Sequence, residues 1–209
     1  MPLIRKGDAK PAASAQGEPG DVLSFLANGT DDQRWAAARA AGDAPGGVQA
    51  LGQALLAEAN PRVREAIFTS LVRLRSAEAV AVILPHLRSD DAHVRTGALD
   101  ALRAMADIVT SRLPALLSDP DADVRLLACE ILRDLPSADA TALLCELLER
   151  EDQVNVCAAA VEVLTEIGGT EALPVLSACA ARFPNEPFLI FSIKAASARI
   201  SSQLPERRG

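Results

Sequence analysis

Aromatic side chains are scarce in this chain: they make up 3% of its 209 residues, and tyrosine is absent. A core must therefore come from Leu, Ala and Val, whose modest bulk lets helices pack closely. Histidine is rarer still, present only as His86 and His93. Neither is followed by glutamate, so a metal site would need invented ligands, and neither a metal nor a cofactor is expected. The four cysteines, Cys129, Cys145, Cys157 and Cys179, form no C-x-x-C pair and fall in apolar helical stretches. They are read as reduced, buried thiols acting as small hydrophobes. Glycine-rich phosphate loops and Gly-x-Ser-x-Gly elbows are missing, as is any two-residue alternation that would signal strands.

Positive charge is in deficit. A net charge of -7 and a pI near 4.9 are the wrong sign for displacing counterions from phosphates, which argues against a nucleic-acid partner. Apolar runs such as Ala79 to Leu84 are far too short to cross a bilayer, and no apolar signal core follows Met1-Pro2-Leu3-Ile4-Arg5-Lys6, so a cytoplasmic protein without membrane contact is expected. Residues 1–19, rich in Pro, Ala, Ser and Gly, read as a disordered leader, and residues 201–209 as a polar tail.

What is present is a period. Arg34, Arg64, Arg95 and Arg125 stand at spacings of 30, 31 and 30 residues, and their setting recurs: Asn60-Pro61-Arg62-Val63-Arg64, Asp91-Ala92-His93-Val94-Arg95, Asp121-Ala122-Asp123-Val124-Arg125. An N-cap residue precedes each Val-Arg pair by three, and apolar or small residues follow the arginine at +3, +4 and +7, as one face of a capped helix requires. Two further units keep the frame without the arginine, at Cys157 and Leu189. Upstream of each such B helix lies an apolar A helix: Val22 to Ala27, Val48 to Ala57, Ala79 to Leu87, Ile108 to Leu117, Ala142 to Leu148 and Ala172 to Ala181. Pro85, Pro114 and Pro174 fall inside A segments and predict kinked or two-part helices.

The recurring D-x-x-V-R-x-x-A-x-x-x-L behind a proline-bearing A helix resembles the HEAT repeat. Its thirty-residue length and Ala-rich B helix are similar to the shorter bacterial form known as PBS-lyase HEAT-like repeats. The resemblance covers roughly residues 20–200, strongest in units two to four. It implies an all-α fold, a right-handed α-solenoid (α-α superhelix) of about six HEAT-like helix pairs. For function it is almost silent, since the family includes scaffolds, adaptors, bilin lyases and an iron-dependent hydroxylase whose paired His-Glu steps are missing here. A DNA-glycosylase reading would need a cationic groove, the opposite of this chain's charge.

The arginine ladder is expected to be structural, each guanidinium bridging the acidic loop of its own or the adjacent unit, where Asp90, Asp91, Asp119, Asp121 and Asp152 lie; the alternative is an anion-binding ladder. The later junctions, lacking the arginine, are expected to be purely apolar. Helical geometry places residues at +1, +5 and +8 or +9 opposite the buried face. They are Trp35, Arg39, Glu65, Thr69, Arg73, Thr96, Asp100, Arg103, Leu126, Glu130, Arg133, Glu162, Glu166, Ile190 and Lys194. This strip has an acidic centre at Asp100, Glu130 and Glu162, all three expected to face solvent, flanking arginines, and Trp35, Leu126 and Ile190 as exposed apolar anchors. The C-terminal helix, Phe188 to Ile200, carries more apolar residues than one neighbour can cover, which leaves two readings open: self-association through this helix, or cover by Leu204 and the tail folding back over it. The functional expectation is a non-enzymatic protein-interaction module, an adaptor or scaffold in a bacterial signalling assembly whose partner is a protein with a basic surface. The alternatives are a helper or lyase acting on a bilin- or cofactor-bearing protein, and a purely structural subunit.

Overall fold

The computed structural model describes residues 19–202; of the expected leader (residues 1–19) and tail (residues 201–209) it therefore shows only Pro19, which begins α1, and Ser201 and Ser202, which end α13, so both helices extend into segments read as non-helical, and the rest of both lies outside the described residues. Every regular element among the described residues is helical. Unit one pairs α1 (Pro19–Asn28) with α2 (Asp31–Ala40), and unit two pairs α3 (Gly47–Ala57) with α4 (Pro61–Leu74). In unit three α5 (Ala77–Ile83) and a 3-10 turn (Leu84–Arg88) precede α6 (Ala92–Arg103). Unit four has α7 (Ala106–Val109), a 3-10 turn (Thr110–Arg112) and α8 (Leu113–Leu116) before α9 (Ala122–Leu132). Unit five is α10 (Ser137–Arg150) with α11 (Val154–Ile167), and unit six is α12 (Leu173–Arg182) with α13 (Pro187–Ser202).

The local chemistry explains these boundaries. Thr30 opens α2 with a reciprocal capping box to Gln33, and Asn60, Asp91 and Asp121 each accept a bond from the amide two residues on. These side chains satisfy amides that have no partner inside the helix. Pro85 and Pro114 fall where the third and fourth A helices break into α and 3-10 pieces, and Pro174 sits in the first turn of α12 behind a 3-10 turn. A missing N–H and a ring that crowds the preceding turn account for all three breaks. α10, which has no proline, runs unbroken for 14 residues.

Helix pairs stack in order. The B helices α2, α4, α6, α9, α11 and α13 touch successively, and so do α1, α3, α5 and α7, and α10 and α12, on the other side. Leu, Ala, Val and Ile supply one continuous core, with Leu51, Ile67, Leu71, Ile83, Leu102, Leu132 and Leu144 fully buried. Burial at about 25 cal/mol per Å² of apolar surface makes this stacking the main stabilising contribution. One close approach shapes a surface discussed below: a Cβ at Gly97 would stand 2.6 Å from the Phe68 ring, so α6 can lie against that ring only because residue 97 has no side chain.

The last helix buries Leu189, Ile193, Ala196 and Ile200 and leaves Phe188 and Phe191 at 73% and 70% exposure. The apolar excess read from its sequence is therefore real and is concentrated in these two rings. Cys129, Cys157 and Cys179 are buried and Cys145 is half-buried, all as free thiols. Burial pushes Cys129 up to about 12.

Candidate partner-binding face

The arginine ladder lies along the junctions between units. Arg125 donates from Nε and Nη2 to both oxygens of Glu151, at 2.7 and 2.9 Å, and from Nη1 to the carbonyls of Asp119 and Pro120, at 2.8 and 3.2 Å. Arg34 repeats the pattern one end earlier, forking onto Glu58 at 2.7 and 3.0 Å and reaching the Gly29 carbonyl at 2.9 Å. Glu58 and Glu151 also accept from the amides that open the next B helix, Asn60 at 2.8 Å and Gln153 at 2.9 Å. Each thus ties its own helix start to the arginine of the preceding unit. Arg34's hydrogen bond holds the Glu58 carboxyl below its ordinary range. For Glu151, burial pushes upward but is outweighed by Arg125 and the two amides, so it too lies low.

The middle rungs differ because the matching acceptor is shorter. Ser89 and Asp119 occupy the position of Glu58 and Glu151, six residues before the frame position, so Arg64 turns to Asp91 at 3.0 Å and Arg95 to the Ser89 carbonyl at 2.5 Å. The expected loop partners thus hold for Asp91 and, through its carbonyl, for Asp119, whereas Asp90, Asp121 and Asp152 take no bond from a ladder guanidinium, and the two strongest acceptors, Glu58 and Glu151, were missed. A polar acceptor recurring six residues before the arginine was the available signal.

The later junctions correct the expectation of purely apolar contacts. Between units five and six Arg182 donates to the Leu148, Glu149 and Glu151 carbonyls and Arg199 to the Glu166 carbonyl at 2.6 Å; Arg150 adds bonds to the Leu117 carbonyl and Ser118 Oγ at the junction of units four and five, which keeps Arg125. These arginines cap the C-terminal carbonyls of the neighbouring unit, where the helix dipole favours a cation. Lost ladder arginines are replaced by arginines on other helices.

The strip itself is only partly as its sequence positions imply. Arg39, Glu65, Thr69, Arg73, Thr96, Asp100, Glu162, Glu166 and Lys194 are exposed. Trp35, Leu126 and Ile190, expected as exposed anchors, are half-buried. The Trp35 ring packs on the core, with the guanidiniums of Arg39 and Arg62 at 4.7 and 4.5 Å from its centre, two cation–π contacts of which one comes from the next unit. The flanking arginines are also committed. Arg73 reaches Asp43 and the Arg39 carbonyl, Arg103 reaches Asp134 at 2.6 Å, and Arg133 pairs with Glu130, Glu162 and Glu166. Glu130 is half-buried within that cluster, so the acidic centre open to solvent is Asp100 and Glu162, not all three carboxylates.

Two depressions gather much of the strip. Between α4 and α6 lies one of about 450 Å³, with Phe68 and Gly97 in its lining and Glu65, Thr69, Asp100 and His93 around it. Between α9, α11 and α13 lies a trough of about 630 Å³, lined by Leu126, Ala158, Ala159, Ala195, Phe188 and Phe191, with Glu130, Glu162 and Glu166 along it. Phe188 and Phe191 stand outside the sequence-derived strip, because their frame positions, one before and two after Leu189, differ from those that define it. Among the described residues no cluster of three or more metal-ligating side chains occurs, and no helix is long and apolar enough to cross a membrane.

Stacked helix pairs tied by recurrent inter-unit arginines define a helical-repeat solenoid. Residues 48–112 and 109–187 match the HEAT repeats family, and the chain belongs to it. No curated protein matches the chain in sequence. Among solved structures it is similar to an engineered protein of the Northeast Structural Genomics Consortium, at 19% identity over 90% of this chain and 98% of that one, with a TM-score of 0.43. A designed armadillo repeat protein is similar at 18% identity, covering 88% and 100% of the two chains, with a TM-score of 0.40. The complex of CpcE and CpcF of phycocyanin lyase from Nostoc sp. is similar at 18% identity, covering 96% and 98%, with a TM-score of 0.39.

Proposed function

We propose that the chain is a non-enzymatic interaction module, an adaptor or scaffold of the bacterial cytoplasm that holds a partner protein against its B-helix face. The observation that carries this reading is the collection, on one face, of two apolar depressions bordered by the exposed carboxylates Asp100, Glu162 and Glu166. Apolar surface with a charged rim is the usual composition of a protein–protein interface. The rim's sign favours a basic partner surface. Carboxylates held below their ordinary range, Glu58, Asp91 and Glu151, are each engaged by arginines or helix-opening amides, which supports a structural use for them. Four free thiols fit a reducing compartment.

Affinity capture from the source cells tests the reading. The wild-type chain retains a partner that the Asp100→Lys/Glu162→Lys variant loses, while Gln49→Lys on an A helix retains it. Equal retention by all three would remove the B-helix face from the interaction.

A further inference from the structure

The trough between α9, α11 and α13 restricts what can fill it. Its walls are helices whose backbone groups are already paired, and Thr165, one of its few hydroxyls, is spent on the Val161 carbonyl at 2.7 Å. An extended peptide laid there would find only scattered side-chain partners, Asn155 and Ser192 besides the glutamates, and no strand edge to pair its N–H and C=O groups, whereas a helix brings its backbone already satisfied. Ala158, Ala159 and Ala195 keep the floor low, and Phe188 and Phe191 stand beside it, both more than two-thirds exposed.

Charge chooses among helices. Glu130, Glu162 and Glu166 share a single guanidinium, that of Arg133, and Arg199 is committed to the Glu166 carbonyl. Glu162 is the least engaged, its side chain 69% exposed and its oxygen 3.6 Å from Arg133. Negative charge is thus left over along the trough, beside the exposed rings. A second copy of the chain answers this poorly: the exposed side of α13 offers Lys194 as its cation, and a two-fold pair would bring both sets of glutamates together.

We propose that this trough is the docking site of an amphipathic helix from a partner protein, with a large apolar side chain held against Phe188 and Phe191 and an Arg or Lys one turn away facing Glu162 and Glu166. The proposal rests on the interaction-module reading and names the partner chemistry at one end of the same face. Recognition is by apolar anchor positions at i, i+3 or i+4, and i+7, with the basic residue setting orientation and on-rate.

The test is fluorescence anisotropy of the full chain with a labelled Leu/Lys peptide of roughly five helical turns, its Leu/Glu counterpart serving as the control. The Leu/Lys peptide binds and the Leu/Glu peptide does not. Phe188→Ala/Phe191→Ala weakens binding about tenfold or more, as expected for central apolar anchors. Glu162→Gln flattens the salt dependence, and Leu56→Ala, an exposed apolar residue on α3, changes nothing. All these positions are exposed, so unchanged circular dichroism is expected throughout. Equal binding to the phenylalanine variant, or equal binding of the acidic peptide, overturns the proposal. A dimer in light scattering that the phenylalanine variant converts to a monomer also overturns it, making the occupant a second copy. If the peptide fails while Asp100→Lys still abolishes partner capture, the trough proposal falls and the interaction-module reading stands; if no B-face variant alters capture, the broader reading falls.

Discussion

Replacing Arg125 by alanine removes two bonds to Glu151 and two to the carbonyls of Asp119 and Pro120 at one junction. The Glu151 side chain is 3% exposed and that of Arg125 14%, so the carboxylate left behind is nearly dry and keeps only the amides of Asp152 and Gln153. Breaking one side of a buried pair costs about 3–5 kcal/mol. With two amides remaining and some water entry from the arginine side, a loss of about 3 kcal/mol at pH 7 is expected. Arg95→Ala is the internal control: it loses one bond, to the Ser89 carbonyl, and should cost about 1 kcal/mol. Acid gives the sign. Glu151 sits below its ordinary 4.5 in the wild type, so its contribution is present above that pH and is lost as pH falls through the folded value. In Arg125→Ala the unpaired carboxyl titrates higher and takes up a proton more readily on acidification. The gap between the two proteins therefore narrows from neutral pH to about pH 4. Urea titrations of wild type, Arg125→Ala, Glu151→Gln and the double variant at both pH values measure this directly. A loss no larger than that of Arg95→Ala, or a gap independent of pH, would refute the reasoning.

Further outcomes follow from single positions. Gly97→Ala should destabilise by about 1–3 kcal/mol, because its Cβ meets the Phe68 ring and the α4–α6 contact must open, read as a lower urea midpoint. Burial holds the His86 imidazole below its ordinary 6.5, so stability is full above that pH and falls as acidification passes from it toward the folded value; His86→Gln should flatten this slope in a pH series of melts. Glu162→Lys should leave the urea midpoint nearly unchanged, within about 0.5 kcal/mol as for an exposed pair. Glu130→Lys places a second cation beside the half-buried Arg133 and should lower the midpoint by about 1–2 kcal/mol; equal effects at the two sites would contradict the burial assigned to them.

Much of the architecture was legible because it is written in local chemistry. Asn60, Asp91 and Asp121 mark helix starts, prolines mark broken A helices, and the arginine period marks the junctions. What could not be read depends on how one unit meets the next. Trp35 sits opposite the buried face of its own helix, yet Arg62 from the following unit helps to cover it. Glu151 was overlooked because acidic loop residues were sought and not the residue that ends the A helix. Arg182 stands seven residues before its frame position, as Arg88 and Arg150 do before theirs, a second period that went unread; Arg199 has no such counterpart, so periodicity could not show its role at the last junction. The apolar excess of α13 was visible in sequence, but which of its rings stay uncovered depends on how α13 packs on α11 and α12.

The most direct measurement of the interaction claim is site-specific photo-cross-linking in the source cells, with the reactive group placed at Thr69, Asp100 or Glu162 on B helices and at Gln49 or Glu146 on A helices, all exposed positions. The account predicts adducts to the same protein from the B-helix positions and none from the A-helix positions. Adducts confined to Gln49 and Glu146 would contradict it.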